Sequence, residues 1–172
     1  MRFEQILPTA FAMSGTFYLF AVAWPLTKID IREHRLPNPL VLPAFPISLV
    51  GQIIASAISN QWQKLTVALA WALVAFVVGL AANRWASLGM GDVKLISAIS
   101  LALGWFSFLA PLVALVLAFV IAGVFVLALI ALGKTSLGRS IALGPYLLAG
   151  FAVTQILTWS TYLGGFLPNF FI

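Results

Sequence analysis

PLVALVLAFVIAGVFVLALIAL, from Pro111 to Leu132, contains no charged, hydroxyl or amide side chain. A helix needs about 20 such residues to cross the roughly 30 Å hydrocarbon core of a bilayer, and this stretch supplies them without interruption. The rest of the chain has the same character. Apolar residues make up 63% of it, charged residues only 8%, and the mean hydropathy is +1.12. A water-soluble domain of this size carries about 25% charged residues to cover its surface. This chain cannot do so, and its solvent is therefore mostly lipid.

Working outward from Pro111–Leu132, five further stretches have the length and composition of a span. They run from about Pro8 to Thr27, Leu40 to Ser59, Leu65 to Ala82, Val93 to Leu109 (interrupted by Gly104) and Ile141 to Leu163. The expectation is an all-α membrane protein of six transmembrane helices, forming one polytopic domain over residues 1–172. Gly164 to Ile172 is apolar but broken by Pro168 and reads as an interfacial tail. The first apolar stretch, Leu7 to Leu26, is too long for a cleaved signal core and reads as a retained span. Trp24, Trp62, Trp85 and Trp105 fall near the ends of these runs, where an amphipathic ring suits the headgroup layer.

Composition also removes whole classes of chemistry. The chain has no cysteine, which excludes disulfides, thiolate catalysis, iron–sulfur clusters and cysteine-ligated zinc. Its single histidine, His34, excludes a two- or three-histidine metal site within the chain. No cofactor and no metal are expected. The net charge of +5 comes from nine scattered basic residues; this pattern fits anionic membrane lipid and not nucleic acid. Seven of the nine (Lys28, Arg32, Arg35, Arg84, Lys94, Lys134 and Arg139) fall in the loops on one side, against Arg2 and Lys64 on the other. Basic loops stay cytoplasmic, so both termini are expected on the non-cytoplasmic side. Nothing in the sequence specifies an oligomeric state.

The chemistry concentrates in Leu88-Gly89-Met90-Gly91-Asp92-Val93-Lys94-Leu95, a glycine-framed loop entering the fourth span. An aspartate there reads first as an N-cap, since its carboxylate can bond the free N–H groups of a first turn. A second acid changes that reading. Asp30 lies between Ile29 and Ile31 at the same membrane face, on an extension of the first helix that must stop before Pro37. Partial desolvation makes it a functional candidate; Glu33, among polar neighbours, reads as a solvated loop acid. Two carboxylates held close cannot both ionise, so one keeps a proton. The ionised partner can then take a proton from water while the protonated one polarises a peptide carbonyl. His34, four residues beyond Asp30, could orient it, although a lone juxtamembrane histidine more often faces headgroups. Lys94 reads as a snorkelling lysine, or as a contact to substrate or carboxylate.

These residues carry a family resemblance. Gly89-Met90-Gly91-Asp92-Val93-Lys94-Leu95 resembles the GxGD element of type IV prepilin peptidases, which are membrane aspartyl proteases. Asp30 followed by Arg35-Leu36-Pro37-Asn38-Pro39-Leu40-Val41-Leu42-Pro43 is similar to that family's first-aspartate region. Ile141-Ala142-Leu143-Gly144-Pro145-Tyr146 is similar to its late glycine–proline segment. The resemblance implies an endopeptidase that removes a short leader from prepilin or pseudopilin precursors at the cytoplasmic face of the cell (inner) membrane. It maps the catalytic aspartates onto Asp30 and Asp92, with Gly89, Gly91 and Lys94 in the supporting loop. The larger members carry a cysteine-paired cytoplasmic domain associated with methylating the new pilin N-terminus. This sequence looks like the short form found with Flp/Tad pili, which would cleave without methylating. The rival expectations are a small ion- or proton-coupled transporter using Asp30 and Asp92, and an inert assembly subunit. Transporter acids usually sit on broken helices near the bilayer midplane, whereas these two lie at one face.

Overall fold

A computed structural model describes residues 3–133 and 142–164. The described residues form helices and connecting turns, with no strand among them: α1 (Phe3–Ala12), α2 (Ser14–Glu33), α3 (Asn38–Val41), α4 (Ala44–Ser59), α5 (Trp62–Ala86), α6 (Met90–Gly104), α7 (Ala110–Ala131) and α8 (Gly144–Gly164). Arg2, the Lys134–Arg139 loop, Ile141 and the tail beyond Gly164 lie outside the described residues. Three helical segments are long and apolar enough to cross a membrane: Asn38–Ser59, Trp62–Ala86 and Ala110–Ala131. The bent pair α1–α2 makes a fourth. The chain is thus a multi-pass, all-helical membrane protein.

The first expected span is longer than anticipated and broken. α1 and α2 meet at 42°, and the break falls at Met13, immediately before Ser14-Gly15, the kind of small-residue pair near which helices kink. Ser14 donates to the Ile47 carbonyl of α4 at 2.9 Å. A methyl on Gly15 would collide with Ser48, and one on Gly51 with Ser14 and the Phe11 carbonyl. Small residues here let three helix segments approach closely, as is usual where helices pack in lipid. At its other end α2 continues past Thr27 to Glu33 and stops before Pro37, carrying Asp30 on its last turn.

The second expected span is also divided, into α3 and α4 around the turn at Leu42-Pro43. The fourth is the most altered. It was expected to end at Leu109, but α6 ends at Gly104 and is only 15 residues long. At 1.5 Å per residue that is about 22 Å, short of a full bilayer core. Gly104 lies against α5, where an added methyl would stand 2.9 Å from Ala68 Cα. The chain then turns inward: Trp105 and Phe106 are buried, and the Trp105 indole N–H donates to Ser56 Oγ at 3.4 Å. Trp105 is therefore a core residue and not part of an interfacial belt, unlike Trp24 and Trp85, which are exposed.

α6 is the axis of the molecule. It packs against α2, α3, α4, α5, α7 and α8, and every residue from Leu95 to Gly104 is buried. The Gln52 side chain, fully buried on α4, donates to the Leu101 carbonyl at 2.8 Å, an interhelical bond of the kind that joins membrane helices. This packing gathers the C-terminal end of α2 and the N-terminal ends of α6 and α8 at one end of the bundle.

Candidate active site

A cavity of about 530 Å³ opens at that end. Asp30, Asp92, Gly89, Gly91 and Lys94 all line it, together with Glu33, His34, Arg35 and the Leu36–Asn38 turn. Residues separated by more than fifty positions in sequence thus share one concavity.

Asp30 is 4% exposed. One of its carboxylate oxygens, Oδ2, accepts the backbone N–H of Gly144 at 2.8 Å. Gly144 is the first residue of α8, so Asp30 faces a helix N-terminus, where unsatisfied N–H groups and the helix dipole favour negative charge. The glycine is required sterically, since a methyl there would stand 2.7 Å from Asp30 Oδ2. Gly144 was legible in the sequence only as part of a glycine–proline segment, and its service to Asp30 depends on an approach across 114 residues.

Asp92 does not cap α6. Gly89 occupies the N-cap position in extended conformation, and Asp92 lies in the first turn, three residues later than a capping aspartate. From there its carboxylate reaches back toward the Gly89 N–H, as an acid at the third helical position can. The loop before it is held by Asn83, whose side chain donates to the Leu88 carbonyl, and by Ser87 in left-handed conformation at the end of α5. Asp92 Oδ1 is shielded from solvent and has no hydrogen-bond partner among the described residues. A buried carboxylate oxygen without a donor is costly in its charged form. Accordingly, burial and then the nearby charge of Asp30 push the Asp92 carboxyl up to about 6, against the opposing effect of the Gly89 N–H.

The remaining candidates sort themselves by contact. Lys94 Nζ donates to Asn38 Oδ1 at 2.8 Å, so it ties α6 to the start of α3 and touches neither carboxylate by a hydrogen bond. His34 is not on the helical face of Asp30. It terminates α2 in left-handed conformation, its N–H bonded to the Asp30 carbonyl, and it lines the cavity beside that residue. Glu33 is exposed at the rim.

Chemically, the cavity offers two carboxyls in unequal settings. Asp30 is buried with a backbone N–H bonded to one carboxylate oxygen, and Asp92 has one shielded oxygen that no donor among the described residues meets and a carboxyl pushed up to about 6. No curated protein and no solved structure matches the chain. The sequence model of the type IV leader peptidase family matches residues 17–132, a stretch that holds both aspartates, the Leu36–Asn38 turn and Lys94 and is more than half of the chain. By that match the chain belongs to the type IV leader peptidase family and is a membrane peptidase of that kind.

Proposed function

We propose that the protein is an aspartyl endopeptidase that removes the short leader from prepilin or pseudopilin precursors at the cytoplasmic face of the cell membrane. The observation that carries this reading is the pairing of Asp30 and Asp92 in one cavity, with Asp92 held toward its protonated form. In the proposed reaction the Asp30 carboxylate takes a proton from water as the water oxygen attacks the scissile carbonyl carbon. Asp92 gives its proton to the carbonyl oxygen. Collapse of the tetrahedral intermediate breaks the C–N bond, the leaving amine takes the proton held by Asp30, and the carbonyl oxygen returns its proton to Asp92. Gly89, Gly91 and Lys94 support the loop that places Asp92. Ion transport, the other use of paired acids, has no observation in its favour beyond the acids themselves, and family membership speaks for peptide hydrolysis.

The reading includes six spans over residues 1–172 and both termini on the non-cytoplasmic side. α6 and α8 complete the set, the shortness of α6 being compensated by its burial among longer neighbours.

Co-expression with candidate precursors, followed by mass spectrometry, tests the activity: parent protein should remove the leader, and Asp30→Asn or Asp92→Asn should leave it in place. A variant that cleaves at the parental rate would sink the aspartyl mechanism. The orientation is tested separately. The chain has no cysteine, so Glu33→Cys gives a single label site, which should resist an impermeant thiol reagent in intact spheroplasts and react after lysis.

A further inference from the structure

The turn between α2 and α3 inserts one apolar side chain between the elements that hold the two carboxyls. Leu36 precedes Pro37, which disfavours helical backbone at that position, and it is 8% exposed although it lies in a loop at the rim of a polar cavity. A methyl on Gly91 would stand 2.7 Å from Leu36 Cβ, and one on Gly144 would stand 3.1 Å from Leu36 Cδ2. Leu36 therefore rests on the backbone immediately before Asp92 and on the residue whose N–H holds Asp30. The segment that carries it is pinned on both sides. Asn38 is bonded to Lys94 of α6, and the Leu40 carbonyl accepts the Tyr18 hydroxyl of α2 at 3.0 Å.

We propose that Leu36 is a positioning residue that sets the separation of Asp30 and Asp92 by packing against Gly91 and Gly144. The proposal rests on the reading of those aspartates as the catalytic pair. Leu36 has no group able to transfer a proton or polarise a bond, so its contribution is its volume. The two glycines give it a seat at which neither backbone could otherwise come so near. Trimming the side chain leaves the first turn of α6 and the first turn of α8 without their common spacer. A misplacement of about 1 Å between reacting groups lowers a rate by about a hundredfold. Water admitted to the gap and a wider separation both relax the constraint on Asp92, so its carboxyl should ionise at lower pH.

The test uses the full chain in detergent with a leader-bearing precursor peptide. Parent, Leu36→Ala, Leu36→Met and Asp92→Asn are compared for thermal midpoint, kcat, KM and the pH dependence of kcat/KM. Leu36→Ala should lower kcat by about ten- to a hundredfold with KM within about twofold of the parent, and should move the alkaline limb of the pH profile to lower pH. Leu36→Met keeps the volume and should restore both. If Leu36→Ala lowers only the thermal midpoint, leaving kcat and the pH limb per folded molecule unchanged, Leu36 is packing alone and the proposal fails. It fails equally if Leu36→Met is as impaired as Leu36→Ala. Should Leu36→Ala not fold, Leu36→Val must show a smaller displacement of kcat and limb in the same direction, and its absence is fatal. The Asp92→Asn control separates the two levels. Parental cleavage by it removes the catalytic pair and the proposal together, whereas an inactive Asp92→Asn beside an unaltered Leu36→Ala removes the proposal alone.

Discussion

α6 and α7 are consecutive helices of opposite construction. α7 has no polar side chain at all, yet only a narrow stripe of it is buried: Ala110, Pro111, Ala114, Ala118 and Ala122. Its large residues point outward, Val124 at 64% and Leu127 at 67% exposure. α6 carries Asp92, Lys94, Ser97 and Ser100, and apart from its first turn and Lys94 it is wholly buried. In water the more apolar helix would be the more buried one. In lipid the tails are as apolar as leucine, so large apolar side chains have no reason to leave the surface. Close packing goes instead to small residues and to polar groups that find interhelical partners. Apolarity marks the lipid face, and alanine, serine and glycine mark the interior.

The largest expected effect lies at the head of α6. Asp92→Asn should lower leader cleavage by roughly a hundred- to ten-thousandfold, the usual worth of a positioned acid or base. It should do so without loss of stability. The folded-state carboxyl at about 6 lies above its ordinary value of 3.8, so the folded protein holds the proton more tightly than the unfolded chain does. Stability therefore falls as pH rises from about 4 to about 6 and remains lowered above that. An uncharged Asn escapes this penalty, and its thermal midpoint should match or exceed the parent's at pH 7 while giving no advantage at pH 4. A midpoint lower at pH 7 than at pH 4, relative to parent, would show that Asp92 serves the fold.

The next effect is on the pH profile. With Asp92 required in its protonated form, kcat/KM should decline as pH rises through about 6. Substrate further dries the cavity, so the corresponding limb in kcat should lie at higher pH. A kcat/KM profile flat from pH 5 to pH 8, measured with the same precursor peptide, would remove Asp92 from the acid role.

Packing changes should then separate interior from lipid face. Ala98, fully buried on α6, leaves no room for added methylenes, and Ala98→Leu should cost about 1–3 kcal/mol of unfolding free energy in detergent. Gly150→Ala should cost a similar amount, about 1–3 kcal/mol, because its new methyl would collide with the Ala114 carbonyl and stand 2.7 Å from the Ala118 nitrogen. That position probes the single buried stripe of α7. Val124→Leu, on the lipid face of the same helix, should stay within about 0.5 kcal/mol. Should Val124→Leu prove as damaging as Ala98→Leu, α7 has a partner on its outer face and the contrast drawn between the helices is wrong.

Much of this was readable from the chain alone. Membrane residence, helical architecture and the candidacy of the two aspartates and the loop glycines follow from composition, run length and the GMGD and RLPNP segments, because each depends on residues near one another in sequence. The continuation of α2 to just short of Pro37 was legible for the same reason: a proline constrains the residue before it wherever it stands. The bend at Met13, the early end of α6 at Gly104 and the burial of Trp105 were not legible, since each answers to a neighbouring helix that no local pattern names. The same holds within the site. That Asp92 belongs to the first turn and not the cap, that Lys94 bonds Asn38, and that Gly144 gives its N–H to Asp30 were decided by tertiary packing. Periodicity and composition determine which residues face lipid or are able to carry a proton. The distance between two carboxyls, and hence which of them keeps its proton, is a property of three helix ends meeting, and only the folded chain brings them together.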